Sequence, residues 1–383
     1  MNTKNNYPQN TKQASISSKI PSINGLRGIA IISVIYFHLF GSYTPVNFYH
    51  IATIDGLPVS PFTLLSNTWL GVNLFFILSG FVLYIPYLNN QRNFDTPKEI
   101  ATFYHHRFLR LLPLFYISIF IALLTQSQPF KLVLPEILSL VSLTYSFNKE
   151  FFIPQLNPVL WSLQHEILFS LALPLIITTS KKFSFSKTLI FILLFSLIIR
   201  YIGISFKVFD INHPYLNILK DSFFGRLDDF VVGMTLAYIY INKPVNIFFR
   251  HTKTFFTIGI GLLLLVSQLW DYHVLKLLSI YFVPFLNTIF QIAVGFIILS
   301  LLNIKKGVIH FAVTNFLIQM LGLMCYSIYI WHLLLARKII NGDYTTLNLT
   351  AYTIILLVFS FLSYRFIEFG SKPDIKQLIP QID

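Results

Sequence analysis

A chain of 383 residues with 55% hydrophobic and only 11% charged residues has less than half the charge of an ordinary soluble domain, where about a quarter is usual. Apolar runs long enough to cross a bilayer recur from residue 23 to residue 369, which excludes a separate soluble domain. The net charge of +13 is spread over short segments between those runs, a pattern that fits orientation in a membrane and not a nucleic-acid surface. The single cysteine, Cys325, excludes an internal disulfide framework and a multi-thiolate metal site, and within its apolar run it reads as a packing residue.

In chain order, residues 1–22 are polar and lack a charged-then-apolar leader layout, so they are expected to form a disordered cytoplasmic tail ahead of an uncleaved anchor. Ten spans follow, at roughly 23–41, 69–88, 108–126, 160–179, 187–206, 223–241, 254–270, 281–302, 313–335 and 350–369, and residues 371–383 form a second tail. The expected fold is therefore an all-α, polytopic membrane protein with one transmembrane domain over 23–370. The apolar stretch 132–147 is short and bounded by Pro129, Pro135 and Pro154, and is expected to be interfacial or re-entrant, not an eleventh span. With the N-terminus in the cytoplasm, eighteen Lys and Arg residues fall in inner segments and seven in outer ones. The remaining three, Arg200, Arg226 and Arg365, lie inside spans. This bias orients the chain with both termini cytoplasmic. The chain shows no internal repeat, which counts against a transporter built of inverted halves.

Ionisable side chains inside spans are costly and mark the places where function is expected. The first span carries Arg27 and His38, eleven residues apart and so on one helical face, about 16 Å apart along the axis. Snorkelling at a membrane surface and burial as a core histidine account for the pair equally well. The fourth span carries Trp161, Ser162, His165 and Glu166, the sixth opens on Gly225–Arg226–Leu227–Asp228–Asp229, and the ninth carries Tyr329, Ile330, Trp331 and His332. The assigned directions bring these polar residues to one level in the outer half, where Glu166 is expected to partner His38. At the cytoplasmic end of the third span, Arg107 and Arg110 are one turn apart and could bind phosphate, although anchoring topology is the commoner use of such residues. His105 and His106 are adjacent and point apart on a helix, so no metal site is expected.

The sequence resembles the membrane-bound acyltransferase-3 family, whose members O-acylate bacterial surface polysaccharides. Six stretches carry the resemblance in order: Ile23 to Ala30 with His38 following, Gly71 to Phe81, Arg107 to Arg110 with Leu112–Pro113–Leu114, Trp161 to Glu166, Tyr326 to His332, and Ser363 to Glu368. Asn24 stands where the family usually has Asp, and Gln164–His165 where small or aliphatic residues are commoner. The resemblance implies a stand-alone, ten-span enzyme of the bacterial inner membrane that uses cytoplasmic acyl-CoA, most simply acetyl-CoA, and no metal. Its implied acceptor is a sugar hydroxyl of an envelope polysaccharide such as lipopolysaccharide O-antigen, free or lipid-linked. In the family the arginine–histidine pair of the first span is required for activity, and Arg27 and His38 match it, while Arg107 and Arg110 match the arginine motif and Glu166 the fourth-span glutamate. His38 and Glu166 are thus expected to be catalytic, and Arg27, Arg107 and Arg110 to hold the donor. Ser79, Arg226, Asp228, Trp331 and His332 are expected to line the substrate path. His38 could serve as general base or as transient acyl carrier. A transporter or flippase of a polar or lipid-linked solute is the alternative that the intramembrane charges allow.

Overall fold

The computed structural model describes residues 20–41, 52–54, 56–60, 62–211, 216–242 and 250–368. Among these the chain is a helical bundle with one small hairpin, Ala52–Ile54 paired antiparallel with Leu57–Val59. Apart from residues 20–22, the two expected tails lie outside the described residues.

Helix α1, Pro21–Tyr36, starts on a first-turn proline and passes into a π turn, Phe37–Gly41. Helix α2 is Gly71–Leu88 and α3 is Pro97–Thr125. Thr96 and Glu99 close a capping box that starts α3 about three turns before its apolar stretch. Its 29 residues cover roughly 43 Å, more than a bilayer core, so Arg107 and Arg110 need not lie in hydrocarbon. Helix α4, Phe130–Val141, has 12 residues, too few to cross, in line with its expected interfacial or re-entrant character. Helices α5, Leu160–Phe183, and α6, Phe185–Ser205, meet at Ser184, whose positive φ of 80° makes the reversal.

The second half comprises α7, Phe223–Asn242; α8, Thr252–Val274; α9, Val283–Asn303; α10, Val308–Thr314; α11, Phe316–Leu323; α12, Cys325–Ile339; and α13, Thr346–Ser363, which ends in the π turn Tyr364–Glu368. Among the described residues, eight helices are long and apolar enough to cross a membrane, and nine if α11 and α12 count as one broken span. The tenth expected span is α7, whose 20 residues include Arg226, Asp228 and Asp229 and which is therefore not uniformly apolar. The expected span over 313–335 is broken, with α11 and α12 meeting at an angle of 79°.

Backbone contact sets the positions of these helices. A Cβ on Gly80 of α2 would lie 1.9 Å from the Phe230 carbonyl, and one on Gly233 of α7 would lie 1.9 Å from the Ile77 carbonyl. The two helices thus touch through reciprocal glycines, the packing that small residues permit where lipid supplies no hydrophobic drive. Where α1 begins, Asn24 Nδ2 donates to the Gln319 carbonyl (2.9 Å) and to its side-chain Oε1 (2.8 Å). An aspartate at position 24 has no N–H for this task, so the departure from the family pattern is matched by Gln319 on α11.

Candidate active site

Helices α1, α2, α3, α5 and α12 enclose a cavity of about 110 Å³ whose polar wall is Arg27, Ser79, Arg107, Arg110, Ser162 and Glu166. That space holds several water molecules. Arg107 donates from Nη2 to Glu166 Oε2 (2.8 Å) and from Nε to Ser170 Oγ (2.9 Å), and the Ser79 hydroxyl donates to Glu166 Oε1. Arg110 lies 3.8 Å from Glu368, whose other oxygen accepts from Ser327 Oγ at 2.6 Å. The phosphate-type arginines expected from the sequence are therefore gathered in one place, with Ser79 beside them.

Two further residues belong here although the sequence does not single them out as site residues. Arg92, on the loop between α2 and α3, acts electrostatically on Arg107 together with Arg27 and Arg110, and its guanidinium lies 5.0 Å from the Phe103 ring centre. Its buried Nη1 has no hydrogen-bond partner, and burial lowers its pKa from the ordinary arginine value. Glu368 is the second; it was visible only as the last residue of the last family stretch. Four guanidinium groups thus share the region with two carboxylates, leaving a surplus of about two positive charges that suits a polyanion.

The structure corrects the expected partnership of Glu166 with His38. Glu166 is engaged by Arg107 and Ser79, and the partner of His38 is His332 at 3.2 Å. The tautomers of the two rings follow from their acceptors. The Tyr329 carbonyl lies 2.7 Å from His332 Nδ1 and can only accept, so that nitrogen carries the proton and Nε2 of the neutral ring is an acceptor. His38 Nδ1 faces both that acceptor and the Val34 carbonyl (3.0 Å), so it carries a proton shared between them. Neutral His38 is left with an unprotonated Nε2. The π turn at Phe37–Gly41 holds this half-buried ring, an irregularity often found at functional positions.

Helix α12 measures the distance between the two centres. Cys325, Tyr326 and Tyr329 line the arginine cavity, and His332 follows Tyr329 by three residues, about 4.5 Å along the axis. Tyr329 stands between them, with its hydroxyl 2.5 Å from Ser162 Oγ and its ring 6.1 Å from Phe75. Arg27 lies in the cavity and His38 beside His332, so the expected stripe of α1 runs from one centre to the other.

The other expected lining residues lie elsewhere. Trp331 donates from Nε1 to Ser363 Oγ (2.8 Å), tying α12 to α13. Asp228 forms an ion pair with Arg200 (2.7 Å), and Arg226 pairs with Asp221 and reaches Asn287 Oδ1 at 3.3 Å. These residues join α6, α7 and α9 and do not line the cavity. Among the described residues no three His, Cys, Asp or Glu side chains converge as a metal site would require.

A family profile described as an acyltransferase domain, the third of that name, matches residues 20–365, and the chain belongs to this acyltransferase family. Curated proteins of Staphylococcus aureus strains COL and MW2, each provisionally named an O-acetyltransferase, are 22% identical to it over 379 residues. The match takes in 91% of this chain and 56% of each relative, so the chain spans about half the length of the relatives it resembles. No solved structure matches. Family membership and the long apolar helices make this a multi-pass membrane protein of the acyltransferase family.

Proposed function

We propose that the chain is an O-acyltransferase that moves an acyl group, most simply acetyl, from cytoplasmic acyl-CoA to a sugar hydroxyl of an envelope glycan on the opposite side. Lipopolysaccharide O-antigen is one such acceptor. The arginine cavity binds the phosphates of the donor, and its pantetheine arm passes Tyr329 to bring the thioester to His38. His38 Nε2 takes the proton of the acceptor hydroxyl as its oxygen attacks the thioester carbonyl. The carbon–sulfur bond then breaks, and the thiolate recovers the proton from the imidazolium, giving ester and free thiol. His332, through its fixed Nε2, orients the imidazole and steadies its charged form. Glu166 and Ser79 hold Arg107 in place for the donor.

The observation that carries this reading is the unprotonated Nε2 of His38 about one helical turn beyond a cavity with surplus positive charge. Radiolabelled acetyl-CoA supplied to membranes with envelope glycan is expected to leave alkali-labile label on the glycan. His38→Ala protein that inserts normally should lose that label by a hundredfold or more, in keeping with the 10²–10⁴ that a general base contributes. Undiminished labelling by His38→Ala would overturn the assignment of the base. Failure with every thioester donor would overturn the proposed activity.

A further inference from the structure

A second cavity, of about 440 Å³, opens where α3 and α12 end, walled by Gln126, Gln128, Glu136, Gln155, Arg337 and Lys338 among others. Its composition differs from that of the arginine cavity. Half of its lining residues carry amide, hydroxyl or carboxylate groups, the set that hydrogen-bonds sugar hydroxyls, and two adjacent cations join them. In the orientation assigned from the sequence these two cations lie on the outer face, where basic residues are scarce, and Arg337 is the one arginine assigned there. The positive-inside rule therefore gives no reason for them.

Both cations are held by their surroundings. Arg337 Nη1 donates to the Gln155 carbonyl (2.9 Å), and Lys338 Nζ to that of Thr125. Glu136 is buried in the wall, where its Oε1 accepts from the Leu156 N–H (2.9 Å). Burial raises the pKa of this carboxyl, against the opposing pull of the Leu156 and Gln155 backbone and of Arg337.

The cavity and the histidine pair occupy the same end of the bundle. Arg337 follows His332 by five residues, about 7.5 Å along α12, and its charge acts on the His38 imidazole. Five residues also turn the helix by roughly 140°, so the cavity opens on the flank of α12 and does not face the imidazole. A group bound there is a neighbour of the reacting sugar, not the reacting sugar itself.

We propose that this cavity is an acceptor subsite for an oxyanion-bearing sugar unit, a uronate or a sugar phosphate, adjacent in the glycan to the unit that is acylated. Arg337 and Lys338 hold the oxyanion, while Glu136 and the three glutamines hold the flanking hydroxyls. The subsite rests on the acyltransferase reading for its purpose but not for its ligand.

The test measures binding of three probes to the purified full chain: an oligogalacturonate hexamer, a phosphodiester-linked glycerol oligomer and neutral maltohexaose. At least one anionic probe is expected to bind tenfold or more tightly than maltohexaose, with a dissociation constant that rises with salt. The tighter of the two anions identifies the source of the oxyanion. Arg337→Gln and Lys338→Gln should each weaken that binding about tenfold, Arg337→Lys should weaken it less, and Lys131→Gln, an outer lysine that does not line the cavity, should leave it unchanged. Elution of each variant as a monodisperse species confirms folding. Equal binding of charged and neutral probes, or no effect of Arg337→Gln, overturns the subsite. If label still reaches glycan from acetyl-CoA in that case, only the subsite falls. If the anionic probe binds through Arg337 yet no thioester donor supports transfer, the subsite stands and the enzymatic reading falls.

Discussion

Two regions of this bundle contain arginines paired with carboxylates inside helices, and they are built differently. In the first, three basic side chains, Lys220, Arg200 and Arg226, face three acidic ones, Asp221, Asp228 and Asp229. Arg200 engages both oxygens of Asp228, and Asp229 accepts from the amides of Asn73, Asn287 and Gln291. The Arg200 and Asp228 side chains are 3% and 1% exposed. In the second, Arg107 and Glu166 are 12% and 15% exposed, they border a cavity, and four guanidinium groups outnumber two carboxylates. A network matched in charge and closed to solvent gives a ligand no opening, whereas an open one with surplus positive charge offers an anion a place to bind. The cost of placing charge in a membrane thus marks both regions, and only the sign of the remainder tells them apart.

The sharpest way to break this comparison is to remove one charge from the closed network. Asp228→Asn leaves Arg200 buried with half its partner, and breaking a buried pair costs about 3–5 kcal/mol. The expected result is a marked loss of folded protein in detergent, measured by thermal unfolding, with donor affinity unchanged in the fraction that survives. A stable Asp228→Asn protein with weakened donor binding would place the network in the site.

Next in size is the relay. His332→Phe keeps the bulk of the ring and removes the acceptor that faces His38 Nδ1. Turnover should fall about a hundredfold while KM for the donor holds, because His332 acts through His38 and not on the arginine cavity. The pH profile of turnover should shift, since the tautomer of His38 is no longer fixed. His332→Gln, whose amide oxygen can accept from the same N–H, should recover part of the loss. A fall in folded protein without a change of pH profile would leave His332 a packing residue.

The sequence made much of this legible. The density of apolar runs gives the helical bundle, and the stripe from Arg27 to His38 leads along α1 from one centre to the other. Arg107 and Arg110 stood out by their one-turn spacing, and the family resemblance supplied their expected role. What could not be seen was the pairing. Depth along a membrane normal groups residues by level, and Glu166, His38, Asp228 and His332 were all placed in the outer half by that rule, yet Glu166 shares the cavity of Arg27 and Arg107, which the same rule placed at the inner end. Partnership depends on rotation about each helix and on which neighbour is adjacent. Those are set by backbone contacts such as Gly80 against Phe230, which a pattern of hydropathy does not encode. The bend at Met324 was hidden for a related reason: α11 and α12 are both apolar, no proline separates them, and composition does not register a change of direction.

The smallest expected effect concerns Arg92, which lies in a polar loop where an arginine attracts no notice. Its Nη1 is buried without a hydrogen-bond partner, its charge acts on Arg107, and Phe103 covers one face of the guanidinium. A guanidinium so placed, in a region of surplus positive charge, suits a bound anion. Arg92→Gln removes a charge that acts on Arg107 without lining the cavity and that solvent screens more, so KM for acetyl-CoA should rise only about threefold with turnover unchanged. The rise should shrink with donors that carry fewer phosphates, for example acetyl-pantetheine 4′-phosphate in place of acetyl-CoA. Equal effects on both donors would assign Arg92 to packing against Phe103, and the excess of positive charge at the site would then rest on Arg27, Arg107 and Arg110 alone.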